Sequence, residues 1–161
     1  MKKILSLFLS FCLMSIFITG CRAQQQTDNN SVDPRITLQI GNSMMQIDGT
    51  EHEIDPGNGT VPIIENERTL LPVRAVVEAM GGAVAWDAQT QTTVLAKDNN
   101  VILLDIGSNA AFINETQYTL DTAPIIINDR TMLPIRFIAE NFGYNVSWDG
   151  STQTVTLTPG T

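Results

Sequence analysis

Histidine between carboxylates, arginines at fixed spacings and a pair of tryptophans are the residues here whose chemistry could amount to a site. His52 lies between Glu51 and Glu53, a trio of metal-ligating types. A stable metal site wants three or four convergent ligands, yet the chain holds no second histidine, and Tyr118 takes the corresponding place in an internal repeat. No metal is expected, and no other cofactor. The run Asp55-Pro56-Gly57-Asn58-Gly59-Thr60 sets oxygen-bearing side chains among glycines. It departs from the Asp-x-Asn-x-Asn-Gly calcium loop and reads as a long surface turn. Nucleophilic catalysis has little to work with. The sequence contains neither Gly-x-Ser-x-Gly nor His-Glu-x-x-His, and the one histidine has no serine partner in a repeated context. Any two of the seventeen acidic residues could converge as a glycosidase pair, which the sequence leaves open.

Arg74 with Glu78, and Arg136 with Glu140, stand at i, i+4. They offer either a polar binding face or, as the preferred reading, solvated helix supports worth about 0.3–0.5 kcal/mol. Arg68 and Arg130 are expected to form internal ion pairs with Asp87 and Asp149. Trp86 and Trp148 could stack on a sugar, but a tryptophan among alternating residues at a strand end is expected to pack on the core helix.

The elements that position these residues come in duplicate. Ile36-Thr37-Leu38-Gln39-Ile40-Gly41 matches Ile102-Leu103-Leu104-Asp105-Ile106-Gly107. Pro62 to Arg74 aligns with Pro124 to Arg136, and Val84-Ala85-Trp86-Asp87 with Val146-Ser147-Trp148-Asp149. One gap is needed, because Asp55 to Pro62 is four residues longer than Asp121 to Pro124. After Pro72 the apolar residues Val73, Val76, Val77 and Met80 fall at i, i+3, i+4 and i+7, and Ile135, Ile138, Ala139 and Phe142 do the same after Pro134. That is one face of a helix, with proline suited to its start and Gly81 or Gly143 to its end. Ile36–Ile40, Val84–Trp86 and Val155–Leu157 alternate as strands. Met44–Ile47 and Ala110–Ile113 read as short strands, and Gln91–Ala96 with Val101–Ile106 as a hairpin across the junction of the two copies. Each copy has about 60 residues, a size at which burial leaves a domain marginal, so the copies are expected to pack together.

The N-terminus carries a different signal. Lys2 and Lys3 precede an uncharged apolar run from Ile4 to Ile18, the pattern of a secretory signal peptide. The run is shorter than the roughly 20 residues a spanning helix needs, and it ends in Ile18-Thr19-Gly20-Cys21. This resembles the lipobox of bacterial lipoproteins, which implies lipid transfer to the Cys21 thiol and cleavage just before it. Cys12 would leave with the signal, so Cys21 has no disulfide partner. Two acyl chains at about 0.8 kcal/mol per buried methylene hold a protein firmly where one would be marginal. Without Lys2 and Lys3, seven basic side chains face seventeen acidic ones, a net charge of −10. Such a surface is repelled by phosphate polymers and anionic headgroups, which argues against nucleic acid and leaves membrane attachment to the lipid. Residues 22–34 are polar apart from Ala23, Val32 and Pro34 and read as a tether spanning roughly 20 Å.

The run Asn-x-Arg-Thr-x-Leu-Pro-x-Arg, the helix ending in Gly, Val-x-Trp-Asp and a Thr-Gln-Thr strand occur in both copies. They resemble the copper amine oxidase N-terminal-like family, also called the stalk domain, across Ile36 to Leu157. The resemblance implies an antiparallel sheet curled around one helix, found in bacterial cell-surface proteins, with copper and quinone belonging to a separate catalytic domain. The structural residues it marks are Arg68, Pro72, Arg74, Glu78, Gly81, Trp86 and Asp87, and Arg130, Pro134, Arg136, Glu140, Gly143, Trp148 and Asp149.

These readings give an α+β fold of two tandem repeats, each a small antiparallel sheet curled around one α-helix. Residues 1–20 are assigned to the signal peptide, 21–35 to the lipidated cysteine and linker, and 36–97 and 98–161 to the two repeats. The expected function is that of a non-catalytic, lipid-anchored binding or spacer protein on the extracytoplasmic face of a bacterial membrane. Its partner would be an envelope protein, a wall polymer or another copy of itself. The alternative is a small envelope hydrolase, or an inhibitor of wall enzymes, with a cleft between the repeats. A deep pocket of convergent carboxylates, one with a strongly raised pKa, would favour that alternative.

Overall fold

The computed structural model describes residues 33–160. The expected signal peptide, Cys21 and the linker up to residue 32 lie outside these residues. Within them no helix is long and apolar enough to cross a membrane.

Local sequence sets most of the elements. The chain runs through β1 (Ile36–Gln39), β2 (Met44–Ile47), β3 (Thr50–Glu53), β4 (Ile63–Glu65), β5 (Arg68–Pro72), α1 (Val73–Ala79), β6 (Ala83–Asp87) and β7 (Thr92–Lys97). It continues through β8 (Asn100–Asp105), β9 (Ala110–Ile113), β10 (Thr116–Thr119), β11 (Ile125–Ile127), β12 (Arg130–Pro134), α2 (Ile135–Asn141), β13 (Tyr144–Asp149) and β14 (Thr154–Pro159). Both helices start where proline ends a strand: Pro72 and Pro134 are the N-caps, in extended conformation, one position earlier than the first helical turn. Gly81 and Gly143 follow the helices at φ +79° and +81°, a region glycine enters without a Cβ penalty. The anticipated stripes are buried, with Val76, Val77 and Met80 at 0% and Ile138 at 1% exposed.

The α+β expectation of two tandem sheet-and-helix units is wrong. The fold is mostly β, 51% strand and 11% helical, with two short helices and three sheets. A terminal sheet has the order β13-β14-β1-β2-β3, a junction sheet β10-β9-β8-β7-β6, and a central sheet β11-β12-β5-β4. Each of them takes strands from both halves of the sequence. All the pairings are antiparallel. In the junction sheet Leu95 lies opposite Ile102 across a hairpin, and in the terminal sheet Leu157 lies opposite Ile36. The pairs correspond residue for residue, but only the first is local in sequence. The central sheet turns about Leu71 opposite Leu133, flanked by Leu70 opposite Pro134 and Met132 opposite Pro72. Exchanging the halves leaves the strand order of the molecule unchanged.

The reason for this arrangement is burial. A three-stranded β1-β2-β3 meander and a two-stranded β6-β7 hairpin from one half are each too small to cover a helix. Sharing strands gives two five-stranded sheets and one continuous core, which joins Ile36, Leu38 and Leu157 with Leu95, Ile102 and Leu104 through Leu71 and Leu133.

Candidate functional site

Two grooves lie at corresponding places. One, of about 570 Å³, is walled by Trp148 and Val146 of β13, by Arg136 and Glu140 of α2, and by Arg68 with Asp121. The other, of about 520 Å³, is walled by Trp86 and Val84 of β6, by Arg74 and Glu78 of α1, and by Arg130 with Asp55. Each groove receives its helix and tryptophan from one half and its hairpin arginine from the other, so one copy of the sequence motif serves both grooves.

The hairpin turns explain how the arginines arrive. Asn66-Glu67 and Asn128-Asp129 have positive φ at both residues, 49° and 62° in the first and 50° and 59° in the second. Two-residue turns of this kind match the twist of the strands they join. They start β5 and β12 at Arg68 and Arg130, which do not pair with Asp87 and Asp149 as expected. Arg68 Nε donates to Asp121 Oδ2 at 3.0 Å, and Arg130 Nε to Asp55 Oδ1 at 2.9 Å. Asp87 and Asp149 are committed elsewhere. Asp87 Oδ1 accepts the backbone N–H groups of Gln89 at 2.8 Å and Thr90 at 3.4 Å. Asp149 Oδ1 accepts the Ser151 hydroxyl at 2.6 Å, and the backbone N–H groups of Ser151 at 2.9 Å and Thr152 at 3.4 Å. These bonds hold both carboxyls below the usual range and clasp the turns that follow β6 and β13.

The two arginine–aspartate pairs differ in burial. The Asp121 side chain is 71% exposed and that of Asp55 10%. Thr60 is buried and its Oγ1 donates to Asp55 Oδ2 at 2.6 Å, whereas Thr122, at the corresponding place, is buried with its Oγ1 unpartnered among the described residues. Burial alone would raise the Asp55 pKa, but the hydrogen bonds from Thr60, Arg130 and Asn58 outweigh it and leave it lowered. Asp55→Ala should therefore cost about 1–3 kcal/mol by leaving charged and hydroxyl donors unpaired. Asp121→Ala should cost less than about 1 kcal/mol. Because the folded-state pKa lies below 3.8, the Asp55 contribution is complete above that pH and is lost as the pH falls through the lowered value. Urea midpoints of both variants at pH 7 and pH 3 check this, and the gap between Asp55→Ala and the unaltered chain should narrow in acid.

Correction is also needed at the tryptophans. Trp86 is 39% and Trp148 42% exposed, not packed into the core. A seven-residue helix is only about 10 Å long. Val84 and Val146 pack partly buried against the core, while the tryptophan two positions along each strand overlooks open groove. Arg74–Glu78 and Arg136–Glu140 are exposed pairs at 3.4 and 3.6 Å, as expected of helix supports, and Arg74 also reaches the Val84 carbonyl at 3.4 Å.

Ten of the residues singled out in sequence thus line grooves: Arg68, Pro134, Arg136, Glu140 and Trp148 in one, and Pro72, Arg74, Glu78, Trp86 and Arg130 in the other. Gly81, Gly143, Asp87 and Asp149 shape the chain nearby. Asp55, Asp121 and Thr93 were not anticipated as groove residues. The correspondence of Asp55 and Asp121 at the start of the one gap in the alignment was the signal that could have found the first two.

His52 is exposed on edge strand β3, where alternation sends it to the face opposite Glu51 and Glu53. Among the described residues no group of three or more His, Cys, Asp or Glu side chains could hold a metal ion. Among the described residues, each carboxylate whose pKa is shifted, namely Asp55, Asp87 and Asp149, is lowered.

The scaffold is mostly β and carries exposed indoles and paired charges in two open grooves. Residues 46–157 match the family described as Copper amine oxidase N-terminal domain, and the chain belongs to that family. The N-terminal domain of copper amine oxidase is a non-catalytic domain, and the residues described above do not fit the copper of the family's name. A search among curated proteins found no match.

Proposed function

We propose that this protein is a non-catalytic, lipid-anchored binding module on the extracytoplasmic face of a bacterial membrane, holding wall polymer in its two grooves. The observation that carries the reading is the placement of Trp86 and Trp148, half-exposed and facing open grooves beside paired charges. Large aromatic surface is costly to leave in water, and at two corresponding positions it points to recognition. The Ile-Thr-Gly-Cys sequence supports the anchor. The alternative of an envelope hydrolase would need an acid with a raised pKa in the cleft, and Asp55, the most buried groove carboxylate, is lowered instead.

In a pelleting assay with purified insoluble wall polymer, most of the full chain should sediment. The double variant Trp86→Ala/Trp148→Ala should lose at least tenfold in affinity. A chain left in the supernatant would refute wall binding. In producing cells Cys21→Ser should move the protein from the membrane pellet to the soluble fraction, and a variant still held in the pellet refutes the anchor.

A further inference from the structure

The two grooves have diverged at the positions a ligand would meet. Thr93 lies in the Trp86 groove where Val155 lies in the other, and Ala75 stands in place of Phe137. Thr93 is 1% exposed, and its Oγ1 has no hydrogen-bond partner. A buried hydroxyl without a partner is unfavourable, and valine would match its shape, as Val155 shows at the corresponding place. The smaller side chain of Ala75 leaves the Trp86 groove without the ring that Phe137 sets edge-on against Tyr118 at 6.2 Å.

Four of the five charged side chains around this floor are matched in pairs, and Asp129 is the fifth. Arg130 is paired with Asp55 at 2.9 Å and Arg74 with Glu78 at 3.4 Å. A bound anion would have to break these pairs and would meet the Asp129 carboxylate, unpaired among the described residues, whereas a neutral molecule can share the remaining donors and acceptors of all five side chains. The exposed indole of Trp86 adds a flat apolar face. A pyranose ring has the complementary build, with C–H groups on its face and hydroxyls around its rim. The volume, about 520 Å³, lies within the roughly 300–1,000 Å³ of small-molecule pockets.

We propose that the Trp86 groove is a subsite for a neutral saccharide, with Trp86 stacking on a ring, the Arg74–Glu78 and Arg130–Asp55 pairs sharing hydrogen bonds with its hydroxyls, and Thr93 supplying a hydrogen bond from the floor. The Trp148 groove, with Val155 and Phe137, lacks that hydroxyl. This assignment rests on the wall-binding reading and narrows it to one groove and one ligand class.

The test uses the chain's two tryptophans, whose indole N–H resonances report the two grooves separately. Titrating the full chain with N,N′,N″-triacetylchitotriose should shift the Trp86 resonance saturably. Trp86→Ala should weaken binding at least tenfold, and Thr93→Val about threefold to tenfold, with the folded circular dichroism spectrum kept. Movement of the Trp148 resonance alone, movement of neither, or full affinity in Thr93→Val overturns the proposal. Wall sedimentation that persists when the trisaccharide moves neither resonance sinks the saccharide assignment and leaves wall binding standing.

Discussion

Residues 36–97 expressed alone should fail to fold, giving no cooperative unfolding transition by circular dichroism in urea. Cutting at residue 97 divides all three sheets at once: β1 loses β14, β7 loses β8 and β5 loses β12. What remains is a set of two- and three-stranded pieces without a common core, and such pieces are marginal in water. A circular permutant should behave in the opposite way. The β14–β1 pairing repeats the β7–β8 pairing residue for residue, so a short turn after Pro159 leading into Pro34 mimics the Asp98-Asn99 turn between Lys97 and Asn100. Opening the chain between Asp98 and Asn99 then exchanges one loop closure for another of similar length, at little entropic cost. The permutant should unfold cooperatively, with a urea slope like that of the unaltered chain. A folded 36–97 fragment or an unfolded permutant would contradict the shared-sheet account.

Leu133→Ala should destabilise the protein by about 2–5 kcal/mol, the range for a leucine truncated in a packed core. Leu133 and its strand partner Leu71 are each 1% exposed and link the two ends of the single core. A cavity there removes support from both five-stranded sheets. The loss should therefore appear equally at both sheets, which the tryptophans can report: Trp86 stands in the junction sheet and Trp148 in the terminal sheet. Fluorescence of the single-tryptophan variants Trp86→Phe and Trp148→Phe, each with and without Leu133→Ala, should give coincident midpoints. Separate midpoints would mean two independently folding units. Ile64→Ala, at a side chain 44% exposed, should shift the midpoint far less.

The amino-acid sequence by itself determined what depends on near neighbours. Val73, Val76, Val77 and Met80 fix a helix face because the 3.6-residue period is a local property. Gly81 and Gly143 fix where each helix ends, and the Asp98-Asn99 turn fixes the one hairpin that joins the halves. The short strands of the central sheet were not legible, since Ile63–Glu65 and Arg68–Pro72 are too brief to show a period and the second ends in proline. Of the groove, the sequence supplied the arginines, glutamates and tryptophans, but not the aspartate partners of Arg68 and Arg130.

Only the tertiary structure decided which strand meets which. Alternation says that a strand has an inner face, but not whose strand lies beside it. That choice goes to the arrangement that buries the most apolar surface over the whole chain. So β1 closed onto β14, Arg68 crossed to Asp121 and Arg130 to Asp55, while Asp87 and Asp149 turned to the backbone beside them. The exposure of Trp86 and Trp148 has the same origin, because a helix of seven residues covers only part of a sheet's inner face and the indoles lie beyond its reach.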